Sequence, residues 1–248
     1  MEAAEYRRMF EVEDTLWWYR ALRLFFGDAI SSAALPPGAA ALDAGCGSGA
    51  NTILLGASFA RVVGCDLSEE AVRLSRRRGL ERLLVADVNR LPFRSAAFDY
   101  VLCADVFESL EVDERRAIEE LARVTKPGGR LVVSVAAFQL LLSEHDRAVH
   151  SVRRYTKDRA RAAFGVGGIR IARMRYLFGF LFVPMAAYRL TRRLARHRAA
   201  AAPPRSDLFM PPRALNALLY GLVRLERLAS RWVPMPFGTT VLVELERA

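Results

Sequence analysis

Short apolar runs carrying an aspartate at or near their ends recur through the first half of this chain: AALDA at 40–44, RVVGCD at 61–66, LLVAD at 83–87 and YVLCAD at 100–105. Bounded runs of this length read as buried strands. Between them the period lengthens to that of amphipathic helices. One is predicted over Asn51–Ala60, a second over Glu69–Arg78 with Ser68 as cap and Gly79 as stop, and a third from after Glu111 to about Thr125. Pro127, Gly128 and Gly129 then turn the chain into a fifth strand, Arg130–Val135. Alternation at this spacing predicts a parallel sheet covered on both faces, with a ligand crevice at the carboxyl ends of its strands.

The flanking segments follow a different pattern. Glu11–Ile30 reads as one helix with Trp17, Trp18, Leu22, Phe25 and Phe26 on a broad apolar face, either packed on the core or closing over a pocket. Ile169–Arg175 and Thr239–Leu245 read as strands six and seven, an antiparallel pair. The 61 residues between them, 176–236, are too many for a structureless loop in a compact domain. They read as two helices, about Leu177–Arg198 and Ala214–Arg231, joined by a connector containing Pro203, Pro204, Pro211 and Pro212. The division expected is a helical cap at 1–38, a core at 39–175 and 237–248, and a helical insertion at 176–236.

The first strand runs into AGCGSGA, with Gly45, Gly47 and Gly49 at alternate positions, a loop whose backbone can approach a ligand closely. Gly45-x-Gly47-x-x-Ala50 satisfies the dinucleotide fingerprint, and Asp66 lies where a carboxylate would accept from ribose hydroxyls. NAD, FAD and S-adenosylmethionine share that need. Asp43 separates them: beside the loop it would repel a pyrophosphate and suit a ligand bearing an amino group and a sulfonium.

Several stretches together resemble the class I S-adenosylmethionine-dependent methyltransferases: ALDAGCGSG, GCDLSEEAV, VADVNRLPF, FDYVLCADVFESL and LARVTKPGGRLVVSV, in the family's order. The resemblance implies an α/β, Rossmann-like doubly wound sheet of seven strands, mostly parallel with an antiparallel last strand, and S-adenosylmethionine as cofactor. It further implies that Gly45, Gly47 and Gly49 contact the methionine part with Asp43 nearby, and that Asp66 holds the ribose hydroxyls. Asp87 would accept from the adenine amino group while the Val88 backbone pairs with the ring, and Cys46, Leu67 and Ala104 complete the set. A nicotinamide-dependent oxidoreductase, supported by the glycine spacing and Asp66, is the competing reading, and a non-catalytic cofactor-binding relative is another.

A sulfonium is an activated methyl donor, so the protein's task is to align acceptor, methyl and sulfur and exclude water, with a base needed for an oxygen acceptor. Many relatives carry a Glu-His pair after the fourth strand; this chain has Glu108-Ser109. Candidate groups lie instead in SEHDRAVHSVRRYTK, 143–157, a segment resembling one found in a subgroup of these enzymes. His145, oriented by Asp146, is the candidate base and Tyr155 a further catalytic candidate. Arg153 and Arg154 would hold an anionic acceptor, with His150, Glu108, Trp17 and Trp18 as further acceptor contacts. A metal on His145, Asp146 and His150 is a lesser alternative, and a polar loop with Thr156 capping a helix is the plain one.

Charge narrows the partner. The chain of 248 residues carries a net +10, with 15 Lys/Arg against one acidic residue in 147–205. An anionic partner is expected: membrane headgroups, an anionic small-molecule or lipid-linked acceptor, or RNA. The basic stretch interleaves with aliphatic runs and not base-stacking aromatics, which makes nucleic acid an unlikely acceptor, with RNA methylation kept as the alternative. YLFGFLFVPMAAY, 176–188, is flanked by arginines, and as a helix it spans roughly 20 Å, short of a bilayer core and suited to peripheral contact with an anionic surface. Cys46, Cys65 and Cys103 lack metal-ligand spacing and read as reduced, packed thiols. The charged N-terminus resembles no signal peptide, so a cytoplasmic, membrane-peripheral location is expected.

Overall fold

The computed structural model describes residues 1–142, 146, 150–166, 168–196, 210–230 and 232–248. Among them, seven strands form one sheet: β1 (Ala40–Ala44), β2 (Arg61–Asp66), β3 (Leu83–Val85), β4 (Phe98–Ala104), β5 (Thr125–Ala136), β6 (Ile169–Leu177) and β7 (Thr240–Arg247). Their order is β3-β2-β1-β4-β5-β7-β6. The first five run parallel, and β7 lies antiparallel to both β5 and β6. The order reverses between β1 and β4, and at that switch point the parallel strands deliver their carboxyl ends to one crevice.

Strand periodicity sorts the core into two layers. Leu42, Val101, Cys103, Leu131 and Val133 point to one face and pack with Ile118 and Leu121 of α5 (Glu114–Val124) and Phe164 of α6 (Lys157–Phe164). Ala41, Tyr100, Leu102, Val132 and Leu242 point to the other, beneath Leu22, Phe25 and Phe26 of α2 (Trp17–Ser31) and Val223 of α8 (Arg213–Ala229). Local signals set the helix starts. Ser68 caps α4 (Glu69–Arg77), accepting from the Ala71 N–H, and Asp113 caps α5, accepting from the Arg115 and Arg116 N–H groups.

Among the boundaries that differ from the sequence expectation, four have a physical cause. The single helix over 11–30 is two, α1 (Ala3–Val12) and α2, because Glu13 turns inward onto Ser48 and Arg78 while Leu16 is buried. Helix α3 (Ala50–Gly56) stops at its glycine, short of Ala60. Strand β5 begins at Thr125, which pairs with Phe98, so Pro127–Gly129 lies inside the strand instead of preceding it. Finally, the 176–188 run does not form the start of one helix: Tyr176 and Leu177 end β6, and α7 (Gly179–Arg196) begins after Phe178, which is fully buried at φ 60°.

Candidate functional site

A cavity of about 730 Å³ opens over the carboxyl ends of β1, β2 and β4. Its floor is the glycine loop. Gly45, Gly47 and Gly49 have φ of 80°, 55° and 93°, and the Gly45 and Cys46 N–H groups each donate to the Cys65 carbonyl at 2.8 Å, which ties the loop to β2. A Cβ on Gly47 would lie 2.8 Å from Met9 Cε and one on Gly49 2.7 Å from Leu80 Cδ1, so these side chains would have to shift for a larger residue, at a backbone conformation that L side chains rarely adopt. The residues fit a nucleoside-bearing cofactor: a loop of three positive-φ glycines stands beside the Asp66 carboxylate, and Asp87 and Val88 line the same cavity. Asp43 is fully buried behind the loop, accepts from Thr52 Oγ1 at 2.6 Å, and has one oxygen without a partner; burial pushes its carboxyl up to about 7.

The N-terminal segment covers this floor. Tyr6 donates to Asp66 Oδ1 at 3.0 Å, where the Ser68 N–H also donates at 2.9 Å, while the Gly47 N–H donates to Oδ2 at 2.9 Å. Burial raises the Asp66 carboxyl above its usual range. Glu13 accepts from Ser48 Oγ and from Arg78 at 2.8 Å, and Arg7 pairs with Glu70 at 2.7 Å, so α1 and the turn after it are strapped to the loop and to α4.

The other end of the cavity is apolar with a buried polar wall. Trp17 and Trp18 of α2, Leu181 and Met185 of α7, and Leu215 and Leu219 of α8 line it. Facing them, Glu108, Ser151, Arg154 and Thr239 line the cavity, and each carries a buried side-chain atom (Oε2, Oγ, Nε and Oγ1) without a hydrogen-bond partner among the described residues. The second oxygen of Glu108 accepts from the Ala136 N–H, and Arg154 reaches Asp146 Oδ1 at 2.8 Å. Burial, reinforced by the neighbouring Asp105 carboxylate, raises Glu108. Asp105 sits at φ 55°, held there by its N–H on the Ser134 carbonyl and by Ser134 Oγ on Oδ1, both at 3.0 Å.

Of the residues singled out in the sequence, Gly45, Cys46, Gly47, Asp66, Leu67, Asp87, Val88, Ala104, Trp17, Trp18, Glu108 and Arg154 come together around this cavity. Asp43 and Gly49 stand behind it. Asp146 acts on the site through Arg154. Three others lie elsewhere. Tyr155 is a core ring, fully buried against Phe164, with its hydroxyl on the Phe107 carbonyl and Glu114, so a catalytic contact does not fit its position. Arg153 donates to the Val112 and Ser109 carbonyls, and His150 lies 3.4 Å from Glu2. His145 falls outside the described residues. Tyr6, Met9, Glu13, Tyr19, Arg23, Ser151 and Thr239, which the sequence reading passed over, line the cavity. Their signal was weak because they reach it from segments with no fixed spacing to the loop.

This strand order, a left-handed glycine loop after β1 and an acidic residue closing β2 accord with a class I, S-adenosylmethionine-dependent methyltransferase domain. Residues 42–133 match the family model described as a methyltransferase domain, and the chain carries a domain of that family. It is 41% identical over 105 residues to a tRNA (carboxymethyluridine(34)-5-O)-methyltransferase of Arabidopsis thaliana, a match covering 42% of this chain and 25% of that protein. It is 32% identical over 126 residues to a demethylmenaquinone methyltransferase of a Mycobacterium species, covering 51% of this chain and 54% of that one. The chain therefore matches a quarter to about half the length of these curated relatives. In fold it is similar to geranyl diphosphate C-methyltransferase of Streptomyces coelicolor, solved with S-adenosyl-L-homocysteine, with a TM-score of 0.61 at 17% identity over 93% of this chain and 76% of that one. With a tRNA methyltransferase among the relatives, the expectation that nucleic acid is an unlikely acceptor has no support from them.

Proposed function

We propose that the protein transfers a methyl group from S-adenosylmethionine to an amphiphilic acceptor: a small or lipid-linked molecule with a polar, anionic head. The observation that carries this reading is the cavity's division into an apolar wall and a polar one formed by Glu108, Ser151, Arg154 and Thr239, each of which holds a buried polar atom unpartnered among the described residues. Unpartnered buried polar groups are costly, so side chains that carry them along a cavity wall favour a ligand toward which they can turn to make the missing bonds. The Arg154 guanidinium would meet the anionic part and Glu108 a hydroxyl. The aromatic and aliphatic wall would take the hydrocarbon. A demethylmenaquinone methyltransferase among the relatives agrees with such an acceptor.

The cofactor supplies a methyl group already activated on a sulfonium. In this reading the chain's residues do the rest. Asp66 and Asp87 hold the nucleoside, the glycine loop accommodates the methionine part, and the α1 strap with Met9 and Tyr6 keeps water from the donor. Asp146 fixes the Arg154 guanidinium, and the acceptor head is held between Arg154 and Glu108.

RNA methylation is the second reading, favoured by the 41% identity to a tRNA methyltransferase and by the basic segment 147–205. Incubation with methyl-tritiated S-adenosylmethionine and, separately, a total lipid extract and total RNA decides between them. Label in the organic phase is the expected result; label in RNA alone selects the second reading.

A further inference from the structure

Helix α8 has two unlike sides. On the inner one Val223 and Glu226 are buried and Leu215 and Leu219 reach the cavity. On the outer one Ala214, Leu218, Leu222 and Leu225 follow at steps of three and four residues, so they share a face. Leu218 is 59% and Leu225 63% exposed, and just past the helix Trp232 and Val233 are 86% and 60% exposed. A contiguous apolar face of this kind on a helix already packed on its other side is not explained by the fold.

Charge indicates what covers it. Arg213 and Arg224 are exposed on the same helix, beside the apolar face. Residues 176–236 carry ten arginines against two acidic residues. One of those two, Glu226, is turned inward onto the Phe178 and Phe180 N–H groups and offers nothing to the surface. A second copy of the chain docked through this face would bring Arg213 and Arg224 of both copies together, since a symmetric contact repeats the same patch on both sides. A sheet of anionic headgroups over hydrocarbon complements both components.

We infer that the outer face of α8, together with Trp232 and Val233, docks the protein on an anionic lipid bilayer. The inference rests on the amphiphilic-acceptor reading to the extent that α8 lines the acceptor cavity with Leu215 and Leu219 while presenting Leu218, Leu222 and Leu225 outward. A lipid-linked acceptor then enters beside the docked helix. In the 176–188 run, to which the sequence alone assigned membrane contact, Tyr176, Leu177 and Phe178 are buried and Leu181 and Met185 line the cavity, while Val183 and Tyr188 are 62% and 51% exposed.

The test is flotation of the full chain with vesicles of mixed phosphatidylglycerol and phosphatidylcholine, and of phosphatidylcholine alone. The wild-type protein is expected on the anionic vesicles, less so as salt rises, and the triple variant Leu218→Glu/Leu222→Glu/Leu225→Glu at least about tenfold less. S-adenosylhomocysteine binding by calorimetry should be unchanged in that variant; Trp232→Ser, at a position 86% exposed, provides the same comparison if the triple variant misfolds. Absence of wild-type flotation, or equal flotation of wild type and both variants, overturns docking. A wild-type dimer dissolved by the triple variant, seen by ultracentrifugation, gives the face to a second copy and also overturns it. Flotation with label found only in RNA leaves docking standing and removes the acceptor reading, whereas label in lipid without flotation does the reverse.

Discussion

Tyr6 donates its phenol proton to Asp66 Oδ1 across 3.0 Å, joining the first helix of the chain to the carboxylate that closes β2. The same carboxylate is the proposed holder of the cofactor's ribose hydroxyls, so helix and ligand draw on one group. Removing the phenol should favour the ligand. Tyr6→Phe is expected to tighten S-adenosylhomocysteine binding by roughly 2- to 10-fold, the equivalent of one ordinary hydrogen bond of about 0.5–1.5 kcal/mol. Calorimetry reads this directly. Unchanged or weaker binding would mean that tyrosine and ribose are accommodated together.

Gly49 tests the cradle. Its φ of 93° is one that L side chains rarely adopt, and a Cβ there would approach Leu80 Cδ1 to 2.7 Å and Ser75 Oγ to 2.9 Å, so both side chains would have to move. Gly49→Ala should lower stability by at least about 1–2 kcal/mol from the backbone conformation alone, measured by urea unfolding. Gly56, with nothing within 4 Å of its would-be Cβ, is the control, and Gly56→Ala should not destabilise.

Much of this was legible in the sequence, and the limits have physical causes. Strands whose apolar runs are buried on both faces stood out, and the aspartates at their ends placed the crevice. The Tyr6–Asp66 bond spans 60 residues, and no periodicity in a ten-residue helix announces such a partner. The break at Glu13 was equally hidden, because its cause is Ser48 and Arg78, remote in the chain. Tyr155 was misplaced for a similar reason: a tyrosine among charged residues looks accessible until its ring is found against Phe164.

Several buried carboxylates are shifted the same way, which fixes the sign of the pH dependence. Burial raises Asp43 to about 7 and raises Glu13, Asp66 and Glu108 as well. With folded-state values above the unfolded ones, the native chain holds more protons, so the contribution present below the ordinary carboxylate range is lost as pH rises to about 7 and beyond. Urea midpoints should fall from mildly acidic to mildly alkaline pH. In Asp43→Asn, whose amide oxygen can still accept from Thr52, the fall should be shallower. An equal slope in both proteins would contradict the assignment.

Glu226 joins the two helices that follow β6. It accepts from the Phe178 N–H at 2.6 Å and the Phe180 N–H at 3.3 Å, where α7 begins. Glu226→Leu strands these donors and should cost about 1–3 kcal/mol, while Glu226→Gln should recover part of it. Chemical denaturation of the three proteins orders them.

The central claim is that Asp66 and the glycine loop form a site for S-adenosylmethionine and not for a nicotinamide dinucleotide. Titration of wild-type and Asp66→Ala protein with S-adenosylhomocysteine and with NADH in the calorimeter tests it most directly. The account predicts saturable binding of S-adenosylhomocysteine to the wild type, at least about tenfold weaker in Asp66→Ala through loss of a charge-assisted hydrogen bond, and no heat with NADH. Binding of NADH without S-adenosylhomocysteine would contradict it.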